Sequence, residues 1–438
     1  MRKRKPLPAG EHTAEIIDFD HEGRGFARIE GKATFIADAL PGERVRFKYL
    51  RTARDFDEGQ CLAVEQASPH RVTPGCAHFG LCGGCSMQHL DSAQQIVFKQ
   101  KQMLDQLQRS ARLQPQEIAP PLTAEVWGYR RRARLGVKDV PKKGAVLVGF
   151  RERESSFLAA LDSCQVLDPR VGLKLRALGE LIASLSLHRQ IPQIEVACCP
   201  ERVALVFRVL SAPSVEDREK LLAFAQREGF DVYLQTGGID SIAPLNEAQP
   251  LQYSPDGSEL RLQFKPADFI QVNGSVSQQT VNQALDWLEP SPGERVLELF
   301  CGLGNFSLPL ARRGAQVLAV EGEAGLVQRA RDNAQRNGLE IRFEKADLFL
   351  SRGDESWLQP AFDKVLLDPP RAGAKEILPI VAKRKPRRIV YVSCHPGTLA
   401  RDAGTLVHEF GYTLARAGVM DMFPHTSHVE SMALFVLP

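Results

Sequence analysis

The last third of the chain is paced by short apolar runs that each stop on a polar or reactive residue. Arg295-Val-Leu-Glu-Leu-Phe300 leads into a Cys301-Gly-Leu-Gly-Asn305 turn and then a helical stretch over 306–313. Gln316-Val-Leu-Ala-Val-Glu321 is followed by a helix to Asn337, and Phe362–Asp368 and Arg388–Ser393 continue the series. Strands alternating with helices restrict this region to an open, mostly parallel sheet with helices on its faces. In such sheets ligands gather beyond the carboxyl ends of the strands. The residues at those ends are therefore the first candidates for chemistry.

One of them is Cys394, in Ser393-Cys-His-Pro396. A thiolate at a strand exit suits covalent catalysis, provided its pKa is lowered and it is exposed; a helix starting at Gly397 would help with both. His395 is a candidate activating base, but adjacent residues tend to point apart, so it ranks second. Glycines at 302 and 304 allow a tight turn beneath a cofactor at a helix start. Glu321, ending the next strand, stands where an acid binds ribose hydroxyls. Ala346-Asp347 offers a polar end positioned for an adenine amino group. The turn carries no phosphate-binding signature, so a nucleoside cofactor without phosphates, such as S-adenosylmethionine, fits. Asp368-Pro-Pro-Arg371 makes a rigid strand exit without backbone donors, suited to holding an acceptor beside a methyl group and a flat base. In Asp421-Met-Phe-Pro-His-Thr-Ser-His-Val-Glu430, the spacing of His425, His428 and Glu430 is open to zinc, but no adjacent third strong ligand is present. Glu430 as a general base is the better reading.

The nine cysteines fall into groups. Cys76, Cys82 and Cys85 share a glycine-bearing loop, and Cys164 is the candidate fourth thiolate. The pattern points to an iron–sulfur cluster, with zinc as the alternative. Cys61, Cys198, Cys199 and Cys301 read as packing residues. In a cytosolic chain these cysteines are not expected to pair.

Upstream the texture differs. Residues 1–66 are short strands broken by Gly and Pro, as in a small barrel. Alternation places Arg44, Arg46 and Lys48 on one strand face. Residues 1–54 carry 12 Lys/Arg against 8 Asp/Glu, more basic than the chain's overall net of +3. A second cluster, Arg130-Arg-Arg-Ala-Arg134, adds to a phosphate-binding character. Residues 67–265 mix strands and helices as an α+β region, with an amphipathic helix over 91–112. The opening Met1-Arg-Lys-Arg-Lys-Pro6 lacks the apolar core of a signal peptide, and no apolar run is long enough to span a membrane. A cytoplasmic location, no membrane contact and a monomer are expected.

Taken together, the order Cys76/Cys82/Cys85/Cys164, Phe269-Ile-Gln-Val-Asn273, Gly302-Leu-Gly304, Asp368-Pro-Pro-Arg371, Ser393-Cys394-x-Pro396 and His425-Thr-x-His428-Val-Glu430 resembles the RNA uracil-5-methyltransferases over nearly the whole chain. It is closest to bacterial 23S ribosomal RNA enzymes of the RumA/RlmD type. The tRNA members typically lack the cysteine loop, and a sister ribosomal RNA enzyme typically lacks the barrel. The resemblance implies a multidomain protein: a TRAM barrel, OB-like and RNA-binding, over 1–66; a central α+β domain with the cysteine loop over 67–265; and a Rossmann-like methyltransferase domain over 266–438. It implies methylation of carbon 5 of a 23S rRNA uridine of the uracil-1939 type, with Cys394 as nucleophile and Glu430 as base. Gln271, Phe300, Asn305, Glu321, Asp347 and Asp368 would surround S-adenosylmethionine, and the four cysteines would hold a [4Fe-4S] cluster in a structural or RNA-positioning role. The barrel and the Arg130–Arg134 cluster would hold the RNA. The alternatives are the same chemistry on another rRNA or tRNA uridine, or an inactive iron–sulfur or zinc RNA-binding scaffold. An amino-group methyltransferase would have no use for Cys394.

Overall fold

A computed structural model describes residues 7–438; the basic run Met1–Pro6 lies outside them. The first sheet has six strands: β1 (His12–Glu15), β2 (Asp18–Phe19), β3 (Gly25–Ile29), β4 (Lys32–Ala37), β5 (Arg44–Thr52) and β6 (Phe56–Gln66), in the order β1-β5-β6-β4-β3-β2. Its edge strands β1 and β2 are two halves of one stretch, and Ile17 N–H donates to the Phe26 carbonyl of β3. The stretch carrying both edge strands is thus tied to β5 on one side and to β3 on the other. Ala14, Ile16, Ala27, Ile36, Val45 and Phe47 fill it. The expected row of Arg44, Arg46 and Lys48 does alternate with buried Val45 and Phe47. Two of the three cations are paired, however, Arg44 with Glu65 and Arg46 with Glu11.

After the cysteine loop, α1 (Ser92–Gln106) is capped by the Asp91 carboxylate. The short β7 (Glu117–Ile118) follows. The central sheet contains β8 (Arg132–Val140), β9 (Ala145–Gly149), β10 (Gln193–Cys198), β11 (Val203–Arg208), β12 (Phe230–Gln235) and β13 (Ile242–Pro244), with α2 (Pro169–Gly172), α3 (Leu175–Ala183) and α4 (Val215–Glu228). Ser214 and Asp217 close α4 with a capping box and Gly229 ends it in the left-handed conformation, the start and stop chemistry that fixes a helix's ends. A small hairpin, β14 (Leu251–Tyr253) and β15 (Leu262–Phe264), precedes α5 (Gly274–Leu288).

The third sheet holds β16 (Arg295–Leu299), β17 (Gln316–Glu321), β18 (Arg342–Lys345), β19 (Lys364–Leu367), β20 (Arg388–Ser393), β21 (Thr413–Met420) and β22 (Glu430–Val436). α6 (Ser307–Arg312), α7 (Ala324–Arg336), α8 (Leu378–Ala382) and α9 (Pro396–Gly404) complete the region. The order is β18-β17-β16-β19-β20-β22-β21-β7, parallel from β18 to β20 and antiparallel at β22. The five parallel strands match the expected rhythm. Chain order and packing part company at one place. Ile96, Met103 and Leu107 of the α1 region are buried in the same core as Leu297, Leu367 and Tyr391, and β7 pairs with β21. The segment expected within the 67–265 unit thus rests on the C-terminal sheet. Among the described residues, no helix is long and apolar enough to cross a membrane.

Candidate active site

The carboxyl ends of the parallel strands carry most of the expected residues. Phe300 follows β16, Glu321 ends β17, Asp347 lies two residues past β18, Asp368 follows β19 and Cys394 follows β20. Phe300 has φ +64°, a conformation that is strained for a bulky side chain. Its ring faces Phe349 at 5.9 Å. The Glu321 carboxylate is held by the backbone N–H groups of Gly302 (3.1 Å), Gly322 (2.7 Å) and Glu323 (3.1 Å), which ties the second strand end to the glycine turn. Asp347 is exposed and accepts from the Phe349 N–H at 3.0 Å. Asn305 accepts from the Tyr253 hydroxyl at 3.2 Å. The Arg131 guanidinium stacks on Tyr253 at 4.5 Å and donates to the Gln271 carbonyl at 2.8 Å. Gln271 and Asn305 are thereby linked through Tyr253, which the sequence did not single out, and through Arg131, expected there as part of the RNA-holding cluster.

A second omission is Glu298, buried within β16. It bonds the Ser307 hydroxyl, and burial raises its pKa to about 8, with Asp368 and Glu321 adding to the effect. Its signal was a charged residue in an otherwise apolar run. Burial likewise raises Asp368 to about 7. Glu298, Glu321 and Asp368 thus gather acids at neighbouring strand ends, which favours a cationic ligand.

Cys394 and Glu430 are brought together by strand register. Ser393 of β20 pairs with Ser431 of β22. The ladder ends there; Cys394 follows Ser393 and Glu430 precedes Ser431, so the two flank its last pair, and Glu430 acts on the thiol. Glu430 is buried, and its pKa is pushed up to about 8, by burial first and by Asp368 next; Arg371 and Lys99 oppose the rise. The lowered thiol pKa expected for Cys394 is not found. Burial, then Glu430 and Asp368, pushes it up to about 11. The helix expected to help begins at Pro396, and the His395 ring caps it by accepting from the Thr398 N–H at 3.2 Å. His395 is therefore a capping residue. Of the two histidines in that zinc-like spacing, His428 Nδ1 lies 3.1 Å from the Arg371 guanidinium and joins the Asp-Pro-Pro-Arg turn to the Glu430 loop.

Cys76, Cys82, Cys85 and Cys164 line one cavity with Phe79, Phe150 and Leu161, so the structure brings the distant fourth cysteine to the other three. Cys82 Sγ accepts from the Gly84 N–H. Burial raises the Cys85 thiol to about 12, and the other three cysteines add to this. Among the described residues no group of three or more His, Cys, Asp or Glu is placed to hold a metal ion. Of the remaining cysteines, Cys198, Cys199 and Cys301 are buried and Cys61 is half-buried.

The Arg130–Arg134 cluster is not the free cationic patch expected. Arg130 lies over Phe150, and Arg131 is committed as above. Arg132 bonds Glu195 and three backbone carbonyls. Arg134 remains exposed but pairs with Glu195 at 2.8 Å. Arg131 and Arg132 join the central sheet to the segment before α5, while Arg130 and Arg134 are engaged within the central region. The N-terminal sheet reaches the Glu430 loop more directly: at Gly23, in the β2–β3 turn, an added Cβ would lie 3.2 Å from Met87 and 3.4 Å from Ser427.

Comparison with known proteins agrees with this geometry. The tRNA (Uracil-5-)-methyltransferase family matches residues 251–346 and 351–436. The 23S rRNA (uracil(1939)-C(5))-methyltransferase RlmD of Alkalilimnicola ehrlichii is 51% identical over 437 residues, covering 99% of this chain and 98% of that protein. The proteins of the same name from Stenotrophomonas maltophilia strain K279a and Methylococcus capsulatus are each 50% identical, covering 99% of this chain and 99% and 98% of theirs. Among solved structures, the Pyrococcus abyssi tRNA (uracil-54, C5)-methyltransferase in complex with S-adenosyl-L-homocysteine aligns with a TM-score of 0.73 at 24% identity. The alignment covers 97% of this chain and 100% of that one, a likeness of fold.

Proposed function

The chain belongs to the family of 23S rRNA (uracil-C5)-methyltransferases, and on that footing we propose that it methylates the uridine equivalent to position 1939 with Cys394 as nucleophile and Glu430 as base. The observation that carries the catalytic assignment is the β20–β22 register, whose last pair is flanked by a thiol and a buried carboxylate at the carboxyl end of a parallel sheet.

S-adenosylmethionine supplies an electrophilic methyl group on a cationic sulfur, and the acids at these strand ends suit it. Phe300, Asn305, Glu321, Asp347, Asp368 and Gln271 are the residues proposed to hold it. Burial first, then Glu430 and Asp368, keeps the Cys394 thiol protonated; a bound cation beside Asp368 would offset the part due to the acids and favour the thiolate, whose proton passes to water. Carbon 5 of uracil is a weak nucleophile. The Cys394 sulfur bonds to carbon 6, and the ring's double-bond pair moves toward carbon 5 and the adjacent carbonyl. Carbon 5 bonds to the methyl carbon while the donor sulfur keeps the electron pair of the broken bond. Carbon 5 then carries both methyl and hydrogen. Glu430 takes that proton, the C–H pair restores the ring double bond, and Cys394 departs as thiolate. A base near pKa 8 is well matched to this task. The target base leaves its stack to reach the sulfur, and the N-terminal sheet, read as a TRAM barrel, grips RNA beside the site.

The four-cysteine cavity is proposed to hold a [4Fe-4S] cluster. Its residues fit: four thiols converge from two segments, apolar side chains exclude water, and their mutual repulsion is relieved by a bound cationic centre. The scheme needs no redox step, so the cluster has a structural or RNA-positioning role. Gly172 tests the assignment. A Cβ there would lie 2.3 Å from the Cys164 carbonyl, and backbone cannot yield cheaply. Gly172→Ala is expected to cost about 1–3 kcal/mol of stability and to remove the broad visible absorption of the anaerobically purified protein. A variant retaining full absorption and iron content contradicts the assignment.

For the function itself, 23S rRNA from cells lacking the protein is incubated with the enzyme and methyl donor and mapped by mass spectrometry. One new 5-methyluridine is expected, at the position equivalent to 1939. A methyl group elsewhere, or none, overturns the reading.

A further inference from the structure

Residues 421–429 connect β21 to β22 and end on Glu430, so their placement sets where that carboxylate lies. The loop is held from outside at successive positions. Lys99 on α1 donates to the Asp421 carboxylate at 2.7 Å and to the Phe423 carbonyl at 2.9 Å. The Tyr129 hydroxyl donates to the Pro424 carbonyl at 3.1 Å. The N–H groups of Ser86 and Met87, immediately after Cys85, both donate to the His425 carbonyl, at 2.9 and 3.0 Å. Gln95, one turn before Lys99, accepts from the His425 N–H at 2.8 Å and donates to the Met87 and Leu90 carbonyls. His425 has φ +66°, strain that persists where surrounding contacts over-determine the backbone. Its ring stacks on Trp127 at 3.9 Å.

The Lys99 side chain is fully buried and that of Asp421 nearly so, at 0% and 4% exposure. A buried ion pair is a poor device for stability, since two well-packed apolar residues serve as well or better. What it supplies is a fixed point, here at the root of the loop that ends on Glu430. We propose that Lys99 is a positioning residue for proton abstraction: paired with Asp421, it holds the Asp421–Val429 loop so that Glu430 faces carbon 5 of the covalent adduct. The inference rests on Glu430 being the base. It assigns to α1, which is distant in sequence from every motif residue of the methyltransferase sheet, a part in the last chemical step and not in methyl transfer.

The two steps separate experimentally. A 23S rRNA fragment lacking the methyl group is incubated with donor carrying a tritiated methyl group. Label in total RNA measures methyl transfer, and label in an SDS-stable protein–RNA complex measures adduct not yet released. Lys99→Met alone strands a buried carboxylate and risks misfolding. The Lys99→Met/Asp421→Leu double variant removes both charges and is the decisive protein. It is expected to keep a thermal midpoint near that of the parent and to transfer methyl within about tenfold of its rate. Release is expected to slow roughly 100-fold, the scale of an ångström's misplacement of a reacting group, so labelled adduct accumulates. Release at the parent rate with no adduct overturns the proposal. So does an equal loss in both steps, which marks the pair as merely structural. Glu430→Gln runs alongside: if it too releases RNA normally, the base assignment has failed and the inference with it, whereas trapping by Glu430→Gln alone refutes only the role of Lys99.

Discussion

Replacing Cys394 with alanine is expected to end methyl transfer to 23S rRNA, by roughly 10⁴-fold or more, as removal of an essential nucleophile does. Without the sulfur on carbon 6, carbon 5 never gains the electron density to accept a methyl group, so no neighbouring residue substitutes. The fold should be indifferent to the change. Cys394 is only half-buried, with its Sγ beyond the end of β20, and α9 keeps its His395 cap. Binding of S-adenosylhomocysteine measured by calorimetry should therefore persist in Cys394→Ala while single-turnover methyl transfer is lost. Substantial methylation by this variant removes covalent catalysis from the account.

The second large effect belongs to Glu430→Gln. The amide keeps the size and most of the polar contacts of the carboxylate but cannot take a proton. Methyl transfer to carbon 5 should proceed for one turnover and the adduct should then stall, with release slowed about 10²–10⁴-fold, the range for loss of a general base. The pH dependence follows from the sign of the shift. A carboxyl raised to about 8 is largely protonated at pH 7, and only its ionised form acts as base. Release by the parent enzyme should therefore rise with pH through about 8 and level off, whereas in Glu430→Gln this limb should vanish. Rapid-quench sampling between pH 6 and 9 reads both. A parent release rate flat across the range would show that another group removes the proton.

The sequence made some of this legible and hid the rest for identifiable reasons. Strand ends were readable, because each apolar run stops where burial stops. Glu321, Asp368 and Cys394 were found in this way. The pairing of Cys394 with Glu430 needed the antiparallel return of β22 beside β20, a register that no local pattern records. Cys164 was selected by its polar neighbours, and the structure sets it in one cavity with the cysteine loop. Charge patterning misled at Arg130–Arg134, because a dense cationic run says nothing about the carbonyls and the Glu195 carboxylate that the fold brings to it. Thiol ionisation misled at Cys394 for a related reason: local context offered a helix start, while the dominant influences were burial and acids from β19 and β22. Lys99 was invisible for the same reason as the catalytic register. In sequence it is one of two lysines on an amphipathic helix; in the fold it meets Asp421, 322 residues away.

The chemical claim at the centre of this account is that one sulfur and one carboxylate act in turn on the two sides of a single ring bond. Its most direct measurement is peptide mapping of the species trapped by Glu430→Gln. After digestion with protease and nuclease, the Cys394 peptide should carry the mass of a uridine nucleotide plus one methyl group, with tritium from the donor on the same fragment. An unmodified Cys394 peptide, or a uridine adduct on it without the methyl group, would contradict the order of steps on which the mechanism stands.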